Sequence, residues 1–169
     1  MMFKKLLLII ISIILFSCTS NVDEVEIKKA NQFFESIFQD RVLDSPEFQA
    51  SLGYKSNYDK WDDITWQNSR RKAKQAIEDL AYLRESINFD KLDDSTKISY
   101  LLMEKRLQRT IDNDKYIFHG YMITHRGGKH SSIPSFLINY HKIDEEQDVK
   151  DYIGRLRNIE SLMNDLIEQ

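Results

Sequence analysis

"DEEQDVKDYIGRLRNIESLMNDLI", Asp144–Ile167, decides the fold class. Val149, Tyr152, Ile153, Leu156, Ile159, Met163, Leu166 and Ile167 recur at steps of three and four, the period of one face of an α-helix. Asp144 followed by Gln147 offers a capping box, a side-chain oxygen for the first free N–H groups and an amide reaching back. The stripe runs to Gln169 without a closing glycine, proline or cap, which leads us to expect a truncated chain.

The same period governs the chain upstream. Five glycines and two prolines occur in 169 residues, and no repeat or low-complexity tract interrupts them. From Asp23 to about Gln39, a stripe of Ile27, Ala30, Phe33, Phe34, Ile37 and Phe38 predicts a first helix. "LDSPEFQASLGYKSNYDKWDDIT" follows, rich in Asp, Asn and Ser. It reads as a structured connection because Phe48, Leu52, Tyr54, Tyr58 and Trp61 give it much to bury. Thr65 or Asp63 can cap a helix reaching Ser86, with Trp66, Ala73, Ile77, Leu80 and Leu83 on one side. "DDSTK" caps another from Thr96 to about Ile111, carrying Ile98, Leu101, Leu102 and Leu107. The expectation is an all-α fold of about four to six helices.

The first residues, "MMFKKLLLIIISIILFSC", belong to targeting. Lys4 and Lys5 precede an apolar run, Leu6–Phe16, which matches a signal-peptide core and falls short of the roughly 20 residues that span a bilayer. Leu15-Phe16-Ser17-Cys18 resembles the bacterial lipobox, although Phe16 is bulkier than usual there. An ordinary signal peptide or an anchor helix could carry a cysteine by chance. Cys18 is the chain's only cysteine and closes the apolar run, so lipidation is the expected outcome. The organisation expected is a lipoprotein signal peptide at 1–17, a tether and the start of the first helix at 18–30, and an incomplete helical domain at 31–169. Without Lys4 and Lys5 the net charge moves from −3 to about −5, which argues against a nucleic-acid partner. Membrane attachment through Cys18 places the protein in the bacterial cell envelope, at the outer membrane or cell surface. "SNVDEVE" reads equally as a surface-export tag of Bacteroidetes lipoproteins or as a solvated tether.

"HGYMITHRGGKHSSIPSFLINYH", His119–His141, holds all four histidines. His119 and His125 lie six apart, on opposite sides of a helix, and Gly127-Gly128 separates His125 from His130. No HExxH occurs, so the spacing argues against a zinc site built from these residues. "HRGGKH" could hold an anion through Arg126, Lys129 and two glycine N–H groups, but it lacks P-loop spacing and a predicted strand before it. A glycine-rich turn with exposed cations is the favoured reading. Ser131 and Ser132 lie near His130 without a nucleophile elbow around them. The carboxylates of "WDDIT", "LDDST" and "DEEQD" sit where helix starts attract negative charge.

Three blocks carry a family resemblance: "SPEFQASLGYKSNYDKWDDIT", "LDDSTKISYLLMEKRL" and "GGKHSSIPSFLINYHKIDEEQDVKDYIGRLRNI". In order and spacing they resemble the bacterial family catalogued as domain of unknown function 885, whose members are often lipoproteins. Gly128, His130, Ser131, Pro134, Phe136, Leu137, Ile138, His141, Asp151, Tyr152, Ile153, Arg155 and Leu156 match its most specific stretch. Thr124-His125-Arg126 stands where the family commonly has Asn-Gln. Full-length members are similar to large helical metallopeptidases, so the resemblance implies a zinc-dependent hydrolase with a His-Glu-x-x-Pro-Gly-His-His-like motif. This chain has no such motif, and no catalytic residue or metal ligand carries over to it. The expectation is therefore a non-catalytic N-terminal portion of such an enzyme, with Lys129, His130, Asn139 and His141 lining a peptide cleft. A free-standing helical lipoprotein acting as a binding or adaptor module is the alternative.

Overall fold

A computed structural model describes residues 22–168. The signal segment, Cys18 and the start of the tether lie outside the described residues. The expected all-α class holds: helices dominate, and the only sheet among the described residues is a pair of two-residue strands.

Helix α1 spans Glu24–Leu43, four residues further than the apolar stripe suggested. Asp23 caps it by accepting from the Val25 N–H at 2.9 Å, and Glu24 and Glu26 meet the positive end of its dipole. The connection that follows contains α2, Pro46–Ser51, with the Ser45 hydroxyl capping the Phe48 N–H and proline in the first turn where no N–H is needed. Thr65 caps α3, Trp66–Ser86, as expected. A 3-10 turn at Phe89–Lys91 leads to α4, Asp94–Asn113, capped by the Asp93 carboxylate on the Thr96 N–H at 2.8 Å. These helices share one core, in which Ala30, Ala76, Leu80, Leu83, Ile87, Leu92, Tyr100 and Leu107 are buried.

A second 3-10 turn, Asp114–Tyr116, precedes a small hairpin. Its strands β1, Ile123–Thr124, and β2, Gly127–Gly128, pair antiparallel with Ile123 opposite Gly128. The expected Gly-Pro turn is therefore a hairpin followed directly by α5, Lys129–Asn139, with Pro134 inside the helix. A Cβ on Gly128 would stand 2.5 Å from the Met122 carbonyl oxygen, so only glycine permits that pairing.

The last segment forms two helices, α6 at Glu146–Arg157 and α7 at Ile159–Ile167, divided at Asn158. Its cap is Glu145, not Asp144, and the reciprocal partner is Asp148, whose carboxylate accepts from the Asp144 and Glu145 N–H groups at 2.8 and 3.0 Å. The α6 stripe also differs from expectation. Val149, Ile153 and Leu156 are exposed, and the inward residues are Asp148, Tyr152 and Arg155. In α4, likewise, Ile98, Leu101 and Leu102 face outward while Thr96, Tyr100 and Leu107 are buried. In α7 the expected Leu166 is buried, Ile159 and Met163 pack on the core formed by Ile133, Leu137 and Leu162, Leu162 joins them unexpectedly, and Ile167 is exposed. The buried residues of the three core clusters described fall within residues 30–162.

Candidate functional site

Arg155 organises the part of the molecule that carries the most specific family residues. Its position on α6, seven residues after Asp148 and three after Tyr152, puts all three on the inner face. The side chain is 0% exposed. Its Nε donates to the Lys60 carbonyl at 3.0 Å, and one terminal nitrogen donates to His141 Nδ1 at 2.8 Å. The guanidinium carbon lies 4.7 Å from the Phe136 ring centre, 4.9 Å from that of Tyr58 and 5.7 Å from that of Trp61. Arginine tolerates this setting because its diffuse charge is weakly hydrated and stacks on aromatic faces. Burial pushes its pKa down, opposed by Tyr58 and by the carboxylates of Glu47, Asp59 and Asp62.

His141 is buried too, and its tautomer follows from its neighbours. Arginine can only donate, so Nδ1 must be the bare acceptor; the Asp148 carbonyl, 2.9 Å from Nε2, can only accept, so Nε2 carries the proton. Burial, reinforced by the Arg155 charge, pushes the His141 pKa below its ordinary value against the pull of the Asp148 carbonyl. The ring stacks on Tyr58 with centres 4.0 Å apart. The Tyr58 hydroxyl in turn accepts from the Lys142 N–H at 2.7 Å, closing the turn after α5. Lys55 reaches the Asp148 carboxylate at 2.6 Å and Asp144 at 3.0 Å. Lys55 leads the causes that hold the Asp148 carboxyl below the usual range, followed in the same direction by the two N–H groups of its cap.

The arrangement fastens three distant segments, the connection after α2, the end of α5 and the start of α6. Trp61 completes it by donating from Nε1 to the Arg155 carbonyl at 2.9 Å and packing its ring 5.5 Å from Phe136. Gly154 lets the connection come close, since a Cβ there would stand 3.0 Å from Asp59 Cβ. The ring nitrogens of His141, the guanidinium of Arg155 and the Tyr58 hydroxyl are all engaged within the protein, so the cluster ties these segments together.

The four residues expected in a cleft fall into two pairs. His130 and Asn139 are exposed at opposite ends of α5; Asn139 turns back on the Ser135 carbonyl at 2.7 Å. Lys129 is half-buried and bonded to Glu47 at 3.0 Å, and His141 sits beside Arg155. The structure therefore does not bring the four onto one surface. Both ring nitrogens of His141 are engaged, so His141 as placed offers no lone pair to a metal. Among the described residues no three His, Cys, Asp or Glu side chains gather as metal ligands. The sequence did not single out Asp148 or Lys55, and it marked Tyr58 only for burial and Arg155 only for its family match. The available signal was Asp148, Tyr152 and Arg155 in helical register, a polar stripe beside the apolar one.

Elsewhere a groove of about 700 Å³ runs between α1, α3 and α4. Its Asp44 is paired with Arg71 and Lys72, and its Asp62 bonds Ser45 and the Glu47 N–H, so these charges serve the joint between α1 and α2.

No curated protein and no solved structure matches the chain. One family does: residues 46–169 match the family described as "Bacterial protein of unknown function (DUF885)", a span that includes α2, the Arg155 cluster and both final helices. The chain belongs to the DUF885 family.

Proposed function

We propose that this chain is a helical, non-catalytic part of a lipid-anchored envelope protein of the DUF885 type, in which Gly127–His141 forms one wall of a peptide-binding cleft. The complete enzyme of this reading is a zinc-dependent, metallopeptidase-like hydrolase, whose metal-bound water and base come from residues other than those described. The observation that supports the reading is the fastening of α5. Lys129–Glu47 holds one end, His141–Arg155 holds the other, and the helix between them presents His130 and Asn139 to solvent. A wall that positions a peptide needs a rigid backing and exposed polar groups, here the His130 ring and the Asn139 side chain, whose amide nitrogen is shared with Ser135. His130 and Asn139 would meet the peptide, and Lys129 and His141 would keep the wall in place.

The test has two arms. In cells, Cys18→Ser abolishes lipid labelling and moves the protein out of the membrane fraction; an unchanged distribution removes the lipid-anchored part of the reading. In solution, peptides from a mixed-sequence library bind the chain starting at Asn21, and the double variant His130→Ala/Asn139→Ala weakens them on the order of tenfold. Binding that ignores both substitutions removes the cleft wall.

The burial of Leu162 and Leu166 favours a second reading, a free-standing binding or adaptor module, because α7 buries most of its apolar residues within the fold. That module would present the exposed Ile98, Leu101 and Leu102 of α4 to a protein partner.

A further inference from the structure

Lys115–Ile143 contains no Asp or Glu over 29 residues, the longest such stretch among the described residues. With 27 carboxylates in 169 residues, about five would ordinarily fall in it. It carries Lys115, Arg126, Lys129 and Lys142 and all four histidines, in a chain whose net charge is −3. The basic character is therefore local and runs against the rest of the molecule.

The first part of this stretch is largely exposed, with Phe118 set 6.3 Å from the Trp66 ring at the start of α3. From Lys115 to Arg126 every residue except Ile117 is exposed. The large apolar side chains there are exposed with the rest: Tyr121 at 89%, Phe118 at 60%, Tyr116 at 53%, Ile123 at 46% and Met122 at 39%. The loop keeps its shape because β1 pairs with β2, the Thr124 hydroxyl donates to the Gly127 carbonyl at 3.0 Å, and Gly128 admits the Met122 carbonyl close to it. Tyr121, Met122 and Ile123 therefore project from an anchored base, flanked by Lys115 and Arg126.

We propose that the Lys115–Arg126 loop docks on an anionic lipid surface, with Tyr121, Met122 and Ile123 entering the headgroup–acyl boundary and Lys115 and Arg126 meeting lipid phosphates. Three features favour lipid over a polypeptide partner. A bound peptide needs a concave seat, and none of the loop's residues lines the 700 Å³ groove. Tyrosine beside aliphatic residues suits the interface, where the ring lies among acyl carbons and the hydroxyl stays wet. The absence of carboxylates removes the groups that a phosphate surface would repel. Docking does not depend on lipidation of Cys18. Where that lipid is present, the loop supplies a second attachment and fixes the orientation of the body on the membrane.

Vesicle flotation of the chain starting at Asn21, which retains all three core clusters, tests the proposal without the acyl anchor. Vesicles of phosphatidylcholine with phosphatidylglycerol should float the protein, and phosphatidylcholine alone should not. Arg126→Glu should weaken flotation on the order of tenfold or more, since each basic group near such a surface contributes about 1 kcal/mol and the substitution reverses one. Tyr121→Ser/Ile123→Ser should abolish it, while Leu101→Ser/Leu102→Ser on α4 should leave it unchanged. These side chains are exposed, so an unaltered far-UV spectrum confirms folding of each variant. Failure of the parent chain to float, equal flotation of the Tyr121/Ile123 and parent proteins, or capture by an acidic polypeptide but not by vesicles overturns the proposal. None of these outcomes bears on whether Cys18 is lipidated or α5 binds peptide.

Discussion

Arg155 has no carboxylate partner within ion-pair distance among the described residues, yet none of its side chain reaches solvent. Its charge is accommodated by the Lys60 carbonyl, the bare nitrogen of His141 and three aromatic faces. Arg155→Ala strands the buried His141 nitrogen and the half-buried Lys60 carbonyl and opens a cavity beneath Trp61 and Phe136, so equilibrium urea unfolding should show a loss of about 4 kcal/mol. Arg155→Lys should fare little better, because an ammonium cannot span both acceptors while lying flat on the rings. His141 carries a pH signature with a definite sign. Its folded pKa lies below the ordinary 6.5, so the unfolded chain takes up a proton first as pH falls. Its contribution is complete above about pH 6.5 and is lost on acidification below that value, where a second ring proton would face the Arg155 guanidinium. Stability measured from pH 7.5 to 5 should fall in the parent and fall less in His141→Gln; parallel curves would show that His141 does not titrate in this window.

At the scale of the helix, the caps of α3 and α4 and the inward faces of α1 and most of α3 were legible, whereas the cap of α6 and the faces of α4 and α6 were not. Thr65 starts α3, and Asp93 starts a helix close to the expected place, because a side-chain acceptor near the first free N–H groups is a local matter. Which face turns inward depends on what lies opposite. On α6 the outward Val149, Ile153 and Leu156 read as core, while Arg155 took the buried position because Tyr58, Trp61 and Phe136 arrive from elsewhere to receive it. The hairpin before α5 was invisible for a related reason. Two-residue strands have no period to detect, and the need for glycine at 128 comes from a carbonyl six residues earlier. Asn158 divides α6 from α7 without breaking the apolar period, so the sequence reads through it as one helix.

The whole molecule holds two bodies of buried side chains, one among α1, α3 and α4, the other joining α5, α6 and α7 to the connection around Tyr58 and Trp61. The joint between them is polar and bonded. Gln49 donates to the Val42 carbonyl at 2.8 Å at the end of α1, and Asp62 holds Ser45 and the start of α2. Such a joint should make the chain from Asn21 unfold as one unit. The tryptophan signal reports Trp61 beside Arg155 and Trp66 at the start of α3, and the far-UV signal reports every helix, so the two urea transitions should coincide. A fluorescence transition well before the far-UV one would show that the bodies unfold separately.

By itself the sequence determined the helical class, most helix starts, the family and the basis for expecting a lipid anchor at Cys18. All of these rest on local patterns: a 3.6-residue period, a cap beside free N–H groups, an apolar run before a lone cysteine, and motif blocks in a fixed order. Only the tertiary structure decided that His141 is held beside a buried Arg155, that Lys129 is occupied by Glu47, and that the exposed apolar residues of the Lys115–Arg126 loop project from a hairpin base. Each of these joins groups far apart in the chain or depends on which face finds a partner. Burial and hydrogen bonding between segments 80 residues or more apart, as for Lys129 with Glu47 or Arg155 with Lys60, leave no period in the sequence to read.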